Sequence, residues 1–216
     1  MNLTKQFGAT LIALTACTSG VALAADVGPV SPPAAKNNTI TLEVNPEWKT
    51  SNGVWVDDEL KLGFAHTFDN NIVWGGSFTY IARDTNSAEQ FDSSLGYKFK
   101  SGAFTFTPSV LLGYRFGDQP RIDRTDNFAA EAYYAVSIAA DVKLDDHWTW
   151  NAVNARYRNA FNVTWITPKV STGITYKIDG TSSIYANVGY AWKDNGNGAG
   201  LLGDKWNIAA GYKFSF

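Results

Sequence analysis

Groups able to do acid–base or nucleophilic chemistry are few in this chain and badly spaced for it. There are two histidines, His66 and His147, and hydrolysis needs such a base beside a nucleophile or an activated water. His66 falls on the same alternating row as Leu62, Phe64 and Phe68, an oily face, while His147 sits in the turn Asp145-Asp146-His147. The carboxylate pairs Asp57–Asp58 and Asp145–Asp146 read as solvated turns, whereas a glycosidase needs two carboxyls facing each other across a sugar cleft. No spacing matches a zinc site, a phosphate-binding loop or a dinucleotide fingerprint. The expectation is a protein that is not an enzyme and uses no cofactor and no metal.

The remaining chemistry is ionic, and periodicity says which elements hold it. Trp206-Asn207-Ile208-Ala209-Ala210-Gly211-Tyr212-Lys213-Phe214-Ser215-Phe216 alternates large apolar with small or polar side chains, the pattern of a strand with one oily face. From Thr39 onward the pattern recurs in ten segments: 39–49, 56–68, 72–82, 89–99, 103–116, 128–143, 148–158, 163–178, 183–193 and 204–216. Most are at or somewhat above the ~9–11 residues that a tilted strand needs to cross a bilayer. So many oily faces leave no protein layer to cover them. The fold expected is all-β, a transmembrane antiparallel up-and-down β-barrel of about ten strands, with eight and twelve as the adjacent even counts. A soluble periplasmic β-sandwich, with the same rows buried between two sheets, is the alternative.

Connections alternate in length. Asp69-Asn70-Asn71, Lys100-Ser101-Gly102, Asp145-Asp146-His147 and Asp179-Gly180-Thr181-Ser182 are tight turns. Those around Thr50 to Trp55, Asp84 to Ala88, Gly117 to Asn127, Asn159 to Asn162 and Asp194 to Gly203 are mostly longer. The short set is expected in the periplasm and the long set outside the cell. One strand loses phase, because Trp148 and Trp150 would share a row with Asn154 and Arg156, so a bulge is expected near Ala152. Pro46, Pro108 and Pro168 fall inside the segments and are expected to mark bulges, since each removes a ladder donor.

Lys5, the apolar run Phe7 to Ala16 and the small residues of Val21-Ala22-Leu23-Ala24 form a secretory signal cleaved after Ala24 or Ala25. The organisation expected is a signal peptide over 1–24, a proline-rich periplasmic leader over 25–38 and a barrel over 39–216. Leu14-Thr15-Ala16-Cys17 is a competing lipobox that would leave Cys17 acylated. Cys17 is the single cysteine, so ordinary cleavage leaves none for a disulfide. A formal net charge of -2 excludes a strongly basic nucleic-acid binder. Eight Trp, ten Tyr and thirteen Phe suit the two aromatic girdles of an outer-membrane barrel.

On the inward rows stand Glu43, Glu47, Glu59, Glu131 and Asp141, with Lys49, Lys61, Arg115, Lys143, Lys169 and Arg156 or Arg158. The candidate lumen-lining residues are Lys49, Arg115, Arg156, Arg158, Lys169, Glu43 and Glu131. Such a mixture can pair across the interior and plug it, or line a narrow pore whose opposed fields orient a polar solute. Near the periplasmic mouth Lys98, Lys143, Lys177 and Lys213 form a ring, either solvated charge flanking the membrane or a collar for anions.

Four stretches share one plan: Leu95-Gly96-Tyr97-Lys98-Phe99, Leu112-Gly113-Tyr114-Arg115-Phe116, Ile174-Thr175-Tyr176-Lys177-Ile178 and Ala210-Gly211-Tyr212-Lys213-Phe214. With Ala155-Arg156-Tyr157-Arg158, the signal peptide and the aromatic C-terminus, the chain resembles the oligogalacturonate-specific, KdgM-like monomeric porins. Gly211 with Phe214 and Phe216 is similar to the C-terminal assembly signal read by the outer-membrane insertion machinery. The resemblance implies a small barrel passing acidic oligosaccharides along basic lumenal residues, here Arg115, Arg156, Arg158 and Lys169. It also implies twelve strands and richer arginine tracks than the six arginines of this chain supply.

The function expected is therefore a Gram-negative outer-membrane porin for passive diffusion of polar solutes, anionic oligosaccharide-like ones among them. A closed structural or surface-interaction barrel without a conducting pore is the alternative. Expected partners are outer-membrane lipid, the insertion machinery during assembly and a small polar or anionic solute, with no nucleic acid.

Overall fold

The computed structural model describes residues 37–84, 87–117, 130–162, 164–195 and 200–216. The signal peptide, nearly all of the leader, Cys17, Arg121 and Arg124 lie outside the described residues. The described strands belong to one unit, Lys36–Phe216, and number ten. They are β1 (Asn38–Lys49), β2 (Trp55–Thr67), β3 (Ile72–Ala82), β4 (Ser87–Tyr97, resumed after Lys98 as Phe99–Ser101), β5 (Phe104–Phe116), β6 (Ala130–Lys143), β7 (Trp148–Ala160), β8 (Lys169–Lys177), β9 (Ser182–Asp194) and β10 (Leu201–Ser215). Each pairs antiparallel with its sequence neighbours, and β1 closes onto β10 from Thr39↔Ser215 to Lys49↔Lys205. Among the described residues no strand is left at an edge, so the backbone finds its partners around the whole barrel with few breaks, as a bilayer demands. The closed antiparallel barrel expected from periodicity is the fold observed.

The exterior explains why these sequences alternate. Leu112 is 63% exposed and Val110, Val136, Ile138, Val188 and Ile208 stand open beside it as an aliphatic band. Aromatics gather at the two ends of that band. Trp48 stacks on Trp206 at 4.4 Å and Tyr190 lies against Trp192 at one end, with Phe214 on Phe216 and Trp148 on Tyr176 at the other. An apolar belt between two aromatic girdles is the surface hydrocarbon tails require.

The breaks in pairing come partly where the alternation fails. Ala152 is an extra residue on β7, since Ala140↔Val153 is followed by Asp141↔Asn151. This is the bulge needed to put Trp150 outside and Arg156 inside. The prolines behave differently from one another. Pro46 interrupts the β1–β10 ladder without changing its register, and the adjacent bulge lies on β2, between Trp55 and Asp57. Pro108 marks no bulge; by register it faces Tyr97, at the break before Lys98, and the pairing resumes at Phe99↔Phe106 with no shift. Pro168 is outside any strand, because β8 begins at Lys169 and not at 163.

Inside, one clasp is built twice. Tyr133 is the register partner of Gly113, and Gly113 that of Asp92; the phenol lies over the glycine and donates to the Asp92 carboxylate. Tyr185 likewise lies over Gly211 and donates to Glu43 at 2.6 Å. A Cβ at either glycine would collide with the tyrosine ring. Each clasp ties three strands together and gives a packing reason for two of the repeated glycines.

Candidate functional site

Among the described residues, many charged side chains converge in the bore between the long-loop end and mid-barrel. Two walls differ there. On β1, β2 and β10, Lys205 donates to Glu47 at 2.9 Å and to Asp57 at 3.0 Å. Lys169 reaches Glu47 from β8 at 3.2 Å, and Arg83, just past β3, meets Asp57 at 3.5 Å. Asn45 donates to Glu59 at 2.7 Å and accepts from Asn207. Asp57 is 1% exposed. The expectation of a solvated Asp57–Asp58 turn is thus overturned for Asp57: it continues the inward row of Glu59 and Lys61, and its charge is held by two cations.

The opposite wall carries arginine and aromatic rings. Arg158 on β7 donates to Thr167 at 2.9 Å and to Gln90 at 3.4 Å, and its guanidinium lies 3.8 Å from the ring centroid of Trp165 and 5.5 Å from that of Tyr133. Arg115 on β5 lies 5.2 Å from the same Trp165 ring. Arg115 is 6% exposed, and its Nε and Nη2, like Nε of Arg156, have no hydrogen-bond partner among the described residues. Glu131 is the register partner of Arg115, yet its carboxylate is bound by the Ala132 N–H and Asn162 instead. Among the charges acting on Arg115 that of Arg83 is the strongest, followed by Glu59 and Asp57, and Arg158 feels Arg156 and Arg115 more than it does Glu59.

Of the lumen-lining candidates, the structure brings Arg115, Arg158 and Glu131 to one side of this region. Arg156 is next to Lys169 in register, and Lys169 leans to the other wall. Glu43 lies closer to the turn end with Tyr185. Lys49 is the exposed last residue of β1. The lysine ring is split: Lys143 is exposed and pairs with Asp146 at 2.7 Å, Lys177 is exposed, Lys98 donates to Thr67, and Lys213 sits 4.6 Å over Tyr185. His66 bonds Asn38, and His147 faces the Lys177 carbonyl.

Lys205, Asp57, Arg83, Tyr133 and Trp165 were not picked out from sequence. Lys205 and Asp57 were in phase with named inward residues, so the signal existed. Tyr133 and Trp165 have the residue type of the girdles, and no spacing in the sequence marks them as neighbours of the arginines.

Solved structures similar to this chain include small outer-membrane barrels, porins and an autotransporter β domain. The β domain of the Bordetella autotransporter BrkA is 10% identical, covering 83% of this chain and 99% of that one, with a TM-score of 0.52. The NanC porin is 12% identical over 81% and 100% of the two chains at a TM-score of 0.47, and the KdgM porin 15% identical over 82% and 99% at 0.44. The fold is that of outer-membrane β-barrels. No family model matches the chain, and no curated protein matches it by sequence.

Proposed function

We propose that this barrel is a small channel of the outer membrane of a Gram-negative bacterium, passing polar solutes by diffusion with a preference for anions. The observation that carries the reading is the buried, unengaged donors of Arg115 and Arg156 on the β5–β7 side of the bore. The Nε–Nη2 edge of Arg115 is the fork that grips a carboxylate or phosphate side-on, and a buried donor without a partner costs about 1–3 kcal/mol. A passing oxyanion satisfies it, and the carboxylate of Glu59, which acts on the same guanidinium, opposes lasting retention. Conduction needs both entry and release. An acidic oligosaccharide of modest width is a solute of the right charge.

A second reading, the closed structural barrel, draws on the lumenal apolar cluster of Tyr133, Ala160, Trp165 and Leu111. Planar-bilayer recording of the refolded chain separates the two. Discrete conductance steps with a reversal potential favouring anions support the channel, and Arg115→Glu then shifts that potential toward cations. Folded protein that inserts and never conducts overturns the channel in favour of the closed barrel.

A further inference from the structure

Trp165 lies beyond the formal start of β8, yet it is held as firmly as a strand residue. Its N–H donates to Asn159 Oδ1 at 2.8 Å, and the Thr167 N–H to the Arg158 carbonyl at 3.0 Å. On the other side Ile166 and Pro168 accept from the N–H groups of Asp194 and Trp192 at 3.1 and 2.8 Å. The wall therefore continues through 164–168, and alternation from Lys169 through Thr167 turns the indole inward. There it is 8% exposed, edge-on to Tyr133 at 5.4 Å, with Ala160 and Leu111 packed in the same cluster and two guanidiniums at its ring.

We propose that Trp165 is a fixed screen at the long-loop mouth, which covers the Arg115–Arg158 pair and decides which anions reach it. The proposal rests on the channel reading for its solute but not for its geometry. An indole between the mouth and two guanidiniums narrows the path, and its π-face partly offsets the unpaired positive charge while no anion is present. Anions able to draw the guanidiniums off the ring pass, whereas bulky or weakly charged ones do not. Trp165 thus acts as a specificity residue through the arginines.

The test uses the full chain with Cys17→Ser and Ala160→Cys, which puts one thiol under the indole. Matched anionic and cationic thiosulfonate reagents report access, and heat-modifiable mobility in gels reports folding. Adding Trp165→Ala should speed the anionic reagent on the order of tenfold, the equivalent of one desolvated cation–π contact no longer to be broken, and the cationic reagent much less. Trp165→Phe, which keeps a ring, should restore slow labelling. Trp165→Leu, which keeps apolar packing without a π-face, should behave as the alanine variant does and serves if that one fails to fold. Unchanged rates, or equal acceleration of both reagents, overturn the screen. In bilayers, conductance with unchanged labelling leaves the channel standing and removes the screen; altered labelling without conductance in any variant does the reverse.

Discussion

On the β1–β2–β10 side of the bore, Glu47 and Asp57 share Lys205, with Lys169 and Arg83 completing the ion pairs; on the β5–β7 side, Arg115 and Arg156 keep donors that nothing described engages. Both walls hang on the same backbone ladder and each carries a tyrosine–glycine–carboxylate clasp. What differs is whether the charge is matched within the fold. Matched charge holds strands together and leaves little for a solute, while unmatched charge weakens the fold locally and keeps its binding capacity. Single unpartnered atoms occur on the paired wall too, Asp57 Oδ1 and Asn207 Oδ1, but there the charge has its counter-ions, and it is charge without them that leaves a protein something to bind with.

The comparison breaks most easily at Lys205. Lys205→Met leaves the buried Glu47 with Lys169 alone and Asp57 with Arg83 alone, two carboxylates that have lost their shared cation, and removing one partner of such a network costs about 3 kcal/mol, the lower end of the range because Lys205 is 22% exposed and each carboxylate keeps one counter-ion. Arg115→Met removes a charge that has no carboxylate partner, so the loss should stay below about 1 kcal/mol, the scale of its contact with Trp165. Equilibrium unfolding in denaturant, with the barrel in lipid vesicles, measures both. Equal losses would mean that the two walls do the same job.

How far the sequence carried depended on what a pattern of period two can and cannot encode. Strand number, order and most limits were legible, down to the extra residue at Ala152, because lipid outside and polar bore inside impose opposite chemistry on alternate residues. The segment 163–178 reads as one strand, whereas β8 begins at Lys169, because Pro168 has no N–H to give the ladder even though the Ile166 and Pro168 carbonyls still accept from β9 and the alternation runs on. Partners in the bore were not legible. Lys205 and Asp57 are 148 residues apart, and only closure of β1 on β10 brings them together. Trp165 and Tyr133 have the residue type of the girdle and the phase of the lumen, and their contact with each other and with the arginines depends on strands that only the closed barrel sets side by side. The repeated glycines at 113 and 211 were visible, but the tyrosines that lie over them come from neighbouring strands.

That clasp offers a sharper form of the comparison, because it is the feature the walls share. Gly113→Val and Gly211→Val each force a side chain into the space of Tyr133 or Tyr185, and overpacking of this kind costs about 1–3 kcal/mol. The two losses should be similar, although one clasp stands on the arginine side and the other nearer the lysines. Combining Gly113→Val with Tyr133→Ala should recover part of the loss, as expected of residues in contact. Strict additivity in that double variant, measured by the same unfolding curves, would show that the ring does not lie over the glycine in the membrane.

The smallest effect belongs to the turn between β8 and β9, outside both walls. Asp179 accepts from the Thr181 hydroxyl at 2.7 Å and from the Thr181 and Ser182 N–H groups at 2.6 and 2.8 Å, and these bonds hold its carboxyl down from an ordinary 3.8 to about 2. The unfolded chain takes up the proton first as pH falls, so the stability this turn contributes is whole above pH 3.8 and is lost as pH drops through about 2. Full exposure of the carboxylate keeps the contribution small. Asp179→Asn should therefore flatten the acid limb of a stability profile over that window and leave neutral pH nearly unchanged. If the acid limb survives the substitution intact, the loss comes from carboxylates in the bore, and the paired wall, rather than the turn, is where acid loosens this barrel.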